Sequence, residues 1–128
     1  MKRYILQCIG NLLVLRAAIF GEQGVRVVRL LVDTGSTYTI LPDEVLYSIG
    51  LDPSLSKERV RLITGNGYLI VPRTEVQKFS CLGHTIKNFK VVTHTLPPES
   101  FVDGLLGMDF LCHVKAIINT GKGEIEVL

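Results

Sequence analysis

The residues of this chain best suited to chemistry sit in one short stretch, Asp33-Thr34-Gly35-Ser36, entered directly from the apolar run Leu30-Leu31-Val32. That order places a carboxylate at the end of a buried strand. An ionised acid there is costly unless hydrogen bonds satisfy it. Thr34 and Ser36 offer hydroxyls, the turn offers backbone N–H groups, and Gly35 can adopt backbone angles closed to other residues. A carboxylate so held can take a proton from water or give one up. The same residue types also make an ordinary surface turn after a strand, and the tetrad alone leaves both readings open.

The elements that would position Asp33 follow from local patterning. Leu12 to Phe20 and Val25 to Val32 read as two strands around Gly21-Glu22-Gln23-Gly24, the second delivering Asp33. Its alternation, with Arg26 and Arg29 between valines, turns one face to solvent before the strand becomes fully apolar. Pro42 to Gly50 reads as a short helix, with Pro42 at its first position, Asp43 and Glu44 at its positive end and Gly50 closing it. Val60 to Thr64 and Tyr68 to Val76 flank a Gly65-Asn66-Gly67 tip, a hairpin signal with a mobile turn. Further strands are expected over Glu75 to Cys81, Thr85 to Thr93, Val114 to Ile118 and Glu124 to Leu128, with Pro97-Pro98 excluded from any central strand. Short strands at even spacing, with one or two small helices, indicate an all-β domain, closed or sandwich-like.

Late in the chain lies Gly104-Leu105-Leu106-Gly107-Met108-Asp109-Phe110-Leu111. A strand ending in Asp-Thr-Gly-Ser, a glycine-tipped hairpin, and then two apolar residues with a glycine resemble the retropepsin-type aspartic proteases. The resemblance runs from about Leu12 to Leu128. It implies a closed acid-protease β-barrel of a single lobe and a peptide hydrolase activity. Asp33 would be the catalytic acid, with Thr34, Gly35 and Ser36 supporting its loop. Thr34 would reach to a partner loop, the Gly35 carbonyl would accept from substrate, and Ser36 would orient the carboxylate. Thr64, Gly65, Asn66 and Gly67 would form a flap over substrate. Leu105, Leu106 and Gly107 would thread beside the catalytic loop into a helix over Met108 to His113. Asp109 then falls at a helix start or an interface.

The family mechanism needs two carboxylates sharing a proton, yet Asp-Thr-Gly occurs once and Asn119-Thr120-Gly121 carries an amide in place of the acid. The resemblance therefore implies a homodimer with its two-fold axis between the two Asp33 side chains, acting on a polypeptide. The terminal strands, Met1 to Tyr4 and Glu124 to Leu128, would interleave between subunits as in viral relatives. Retroviral members often pair an acid just past the Asp-Thr-Gly motif with an arginine just past the late glycine. Thr37 and Met108 stand at those positions, so both partners are absent together, as in a bacterial or cellular branch. The alternative is a catalytically silent dimerisation or peptide-binding module that keeps the fold.

The 128 residues, 47% hydrophobic and 20% charged, suffice for one domain, residues 1–128, with a real core. A net charge of +2, from 14 basic and 12 acidic residues without a basic run, points away from nucleic acid. Cys8, Cys81 and Cys112 are odd in number and far apart, without Cys-x-x-Cys or Cys/His ligand spacing, which argues against a disulfide framework or a metal site; they are read as small apolar fillers of the core, and no metal or cofactor is expected. The stretch Tyr4 to Leu15, broken by Gln7 and Asn11, is too short and polar to span a membrane and lacks a clear cleavage site, which favours an uncleaved, cytoplasmic start.

Overall fold

A computed structural model describes all residues, Met1–Leu128. Strands β1 (Lys2–Ile5) and β2 (Gln7–Ile9) open the chain. They lead into the hairpin of β3 (Leu12–Gly21) and β4 (Gly24–Val32). Gly21 and Gly24 pair with each other, so the connection is Glu22-Gln23 alone rather than four residues. After the Asp33 loop come β5 (Ile40–Leu41), helix α1 (Asp43–Ser48) and a 3₁₀ turn over Pro53–Leu55. Pro42 caps α1 from just outside, and Gly50, at φ +91°, lies just past its end.

The next three strands are β6 (Arg59–Thr64), β7 (Gly67–Cys81) and β8 (His84–Thr93). Sequence patterning divides the middle of this region into two strands. In the structure β7 is one strand of 15 residues. It pairs with β6 up to Pro72 and with β8 from Arg73 onward, so its patterning changes with its neighbours. Its far turn is Leu82-Gly83, both at positive φ (51° and 75°), the combination that matches a two-residue turn to strand twist. The chain ends with β9 (Gly104–Leu106), α2 (Met108–His113), β10 (Ile117–Asn119) and β11 (Glu124–Val127).

The main sheet runs β2-β3-β4-β9-β5-β8-β7-β6, and an additional β3–β7 pairing returns it on itself. This is the all-β, single-lobed fold expected. Inside lies an aromatic cluster: Phe79 stacks on Phe89 at 4.8 Å, and Phe110 of α2 meets Phe79 edge-on at 5.3 Å. Ile19, Leu30, Leu106 and Ile125 complete the sealed interior around them.

Two expectations are corrected. On β4 Val25 and Val27 are exposed, while Arg26, on the opposite face, turns over α1 to Glu44 and Ser48. Of the cysteines only Cys81 fills the core, where burial pushes its thiol up to about 12; Cys8 and Cys112 are exposed. The terminal strands pair within the one chain, in a sheet ordered β1-β11-β10. Register runs from Lys2↔Val127 to Ile5↔Glu124, and Arg3 clasps Glu126 at 2.9 Å. Both edges of β11 are thus paired within its own chain. No helix is long and apolar enough to cross a membrane.

Candidate active site

Asp33 follows β4 where that strand runs parallel to β9. Its backbone N–H donates to the Leu106 carbonyl at 3.0 Å, which fixes the strand end. The Gly35 N–H donates to Asp33 Oδ1 at 2.9 Å, the only protein hydrogen bond to this carboxylate. Ser36 does not touch the acid: its Oγ donates to the Tyr38 carbonyl at 2.7 Å and closes the loop from below. Asp33 is half-buried rather than sealed, and Thr34 and Gly35 are exposed.

Behind this loop is a polar network that sequence reading does not supply. The Asp109 carboxylate accepts from Thr39 N at 2.9 Å, from Thr39 Oγ1 at 2.7 Å and from Phe110 N at 2.8 Å. Thr39, fully buried, also accepts from Gly107 N through Oγ1 at 3.2 Å. Met108 N donates to the Ser36 carbonyl at 2.8 Å and Asp109 N to the Thr37 carbonyl at 3.2 Å. Loop and helix are therefore joined at Thr37 and Met108 by backbone bonds, without an ion pair. Gly107 runs so close to Tyr38 that any Cβ would collide with its carbonyl. An acid in the first turn of a short helix was the one visible signal for Asp109; its partner Thr39 carried none.

In front of the loop is a cleft of about 290 Å³, with Asp33, Gly35 and Ser36 at its floor. Tyr38, Ile40, Leu62, Leu96 and Leu105 give it apolar walls, His94 a polar one, and Thr64 its upper edge. Leu106 and Gly107 are buried behind the floor. Gly65, Asn66 and Gly67 form the exposed tip of the β6–β7 hairpin, beyond the walls, and Thr34 faces away from the cleft into two neighbouring grooves. Tyr38, His94 and Leu96 were not anticipated, because nothing in their local sequence brings them to Asp33.

The hairpin is held at its base and loose at its tip. Glu58 accepts from Lys90 Nζ at 3.1 Å and Arg73 Nη1 at 3.4 Å, and Arg73 lies over the Tyr38 ring. The Lys90 hydrogen bond, helped by the charges of Lys90 and Arg73, holds the Glu58 carboxyl below its usual range. Toward the tip, Arg61 sits 4.4 Å over the Tyr68 ring, and Asn66 N donates to Thr64 Oγ1 at 3.3 Å.

This arrangement has known counterparts. A family model described as aspartyl protease matches residues 16–110. Among solved structures, that of a retropepsin-like aspartic protease from Rickettsia conorii is similar, with a TM-score of 0.70 at 21% identity, covering 97% of this chain and 88% of that chain. No curated protein matches. Together with the Asp33 loop, the glycine beside it and the hairpin over the cleft, the match shows that this chain belongs to the aspartyl protease family and has the retropepsin-like fold.

Proposed function

We propose that the protein is a homodimeric aspartic endopeptidase in which two Asp33 side chains, one from each protomer, activate a water between them. The observation that carries this reading is a lone Asp33, half-open at the floor of an apolar-walled cleft and held through one oxygen only. One such acid per chain supports a second copy as the source of the other. Two carboxylates at hydrogen-bond distance cannot both ionise, so the pair holds one proton. The ionised member takes a proton from the water. The water oxygen attacks the peptide carbonyl carbon, and the protonated member donates to the carbonyl oxygen. Collapse of the tetrahedral species returns a proton from its hydroxyl to the pair, and the leaving nitrogen is protonated.

The Gly35 N–H keeps Asp33 in the plane this exchange requires. Ile40, Leu62 and Leu105 favour apolar substrate side chains next to the scissile bond, and the Gly65-Asn66 tip is suited to close over the peptide. The test is cleavage of an unfolded protein substrate at mildly acidic pH. Asp33→Asn is expected to lower kcat/KM by on the order of a thousandfold while the dimer persists. Pepstatin-like statine compounds are expected to inhibit the unaltered protein. Equal cleavage by Asp33→Asn would overturn the assignment, and binding without cleavage by either form would mark a silent peptide-binding module.

A further inference from the structure

The register of the main sheet fixes which side chains share its outer face. β4, β3, β7 and β8 are neighbours there, and residues opposed across a ladder lie on one side. One outward row across the four strands reads Val25, Phe20, Lys78, Lys87. The next reads Val27, Ala18, Ser80, Thr85, and beyond it Arg29 faces Arg16. The inward row between the first two carries the core residues Ile19 and Phe79.

Arg16 thus stands directly opposite Arg29, and Lys78 opposite Lys87. Like charges so placed weaken strand pairing. None of the four side chains meets a carboxylate, since the ion pairs of the chain lie elsewhere. Asp103, at the edge of the face, accepts from the Arg29 backbone N–H at 2.8 Å. Between the cations the face is apolar or hydroxylic. Val25 and Val27 are 56% and 60% exposed. Lys78 lies over the Phe20 ring at 6.0 Å, and Thr85 Oγ1 donates to Ser80 Oγ at 3.2 Å. Apart from Arg16, which borders a groove with Tyr4 and Leu82, no residue of these rows lines a cavity.

We propose that this face docks on an anionic lipid surface. Arg16, Arg29, Lys78 and Lys87 meet the headgroup phosphates, and Val25 and Val27 enter the layer between them. The unneutralised charge selects an acidic partner. An acidic peptide needs a groove to hold its chain, and these rows offer none. A bilayer needs a broad face with basic heads beside exposed apolar side chains, which they do offer. The contact is peripheral and separate from the chemistry at Asp33, because none of these residues lines the cleft.

The test is co-sedimentation of the full chain with vesicles of phosphatidylcholine alone, or of phosphatidylcholine with about one third phosphatidylserine. Binding is expected to the second only, with release as salt rises. Lys78→Gln with Lys87→Gln is expected to weaken it by about 25-fold, about fivefold for each charge. Lys57→Gln with Lys122→Gln removes the same net charge away from the face and is expected to change it by no more than about twofold. Val25→Ser with Val27→Ser, at unchanged charge, is expected to weaken it severalfold. Circular dichroism and Asp33-dependent cleavage of a soluble peptide are expected to stay unchanged in all three variants. Failure to bind either vesicle, or equal losses from the two lysine pairs, would overturn the proposal. Binding to immobilised polyglutamate in place of the vesicles would also overturn it, by naming an acidic polypeptide as the occupant.

Discussion

Replacing Asp109 separates the contribution of its charge from that of its shape. The Asp109 carboxylate has Thr39 Oγ1 and Phe110 N on Oδ1, and Thr39 N on Oδ2. In Asp109→Asn the amide can lie either way round. With its oxygen at the Oδ1 position, its NH₂ faces the Thr39 N–H; with its oxygen at Oδ2, its NH₂ faces the Phe110 N–H. Either way one donor confronts another. The loss is a single charge-assisted bond plus the charge itself, about 2 kcal/mol. Asp109→Ala strips all three acceptor contacts. The Phe110 N–H, on a fully buried residue in the first turn of α2, loses its acceptor. The Thr39 N–H and hydroxyl lose their partner beside a fully buried residue, at about 4 kcal/mol together. Urea unfolding at fixed protomer concentration, alongside kcat/KM for a peptide substrate, measures both effects. The expected order is wild type, Asn, Ala, with activity falling in the same order because Thr39 closes the loop that carries Asp33. If Asn and Ala agree within about 0.5 kcal/mol, the carboxylate is not what ties α2 to the loop, and the argument fails.

Phe110→Ala removes the ring that α2 drives against Phe79 and should cost about 3–5 kcal/mol, read as a lower urea midpoint with an unchanged slope. Glu58 is held below the usual carboxylate range, so the stability it contributes is present above its unfolded pKa and is lost as pH falls through its lowered folded pKa. Glu58→Gln should therefore destabilise the protein at neutral pH and flatten the acid limb of its stability curve; an unchanged acid limb would contradict the anchoring role.

The parts legible in sequence are those with local causes. The Asp33 tetrad and the Gly65-Asn66 turn carry residues whose chemistry sets their conformation, and α2, at Met108–His113, follows from the family resemblance. The parts that were not legible have distant causes. The β7 strand reads as two strands meeting near Val76, whereas it is continuous and changes its neighbour after Pro72. Val25 and Val27 look like core, but the inner face of β4 is set by Val28 and Leu30, and Arg26 shares that face at its open end. Asp33 looks buried because an apolar run precedes it, whereas its exposure depends on what lies opposite the loop. The Thr39–Asp109 contact joins residues 70 positions apart, beyond the reach of any local pattern.

The passage of β7 from hairpin to barrel has a mechanical consequence. The β6–β7 arm and the β7–β8 wall share one length of chain, and their joint is Pro72, which has no N–H to give either neighbour. A bend at that joint would displace the outer arm while leaving the β7–β8 rungs below it in place.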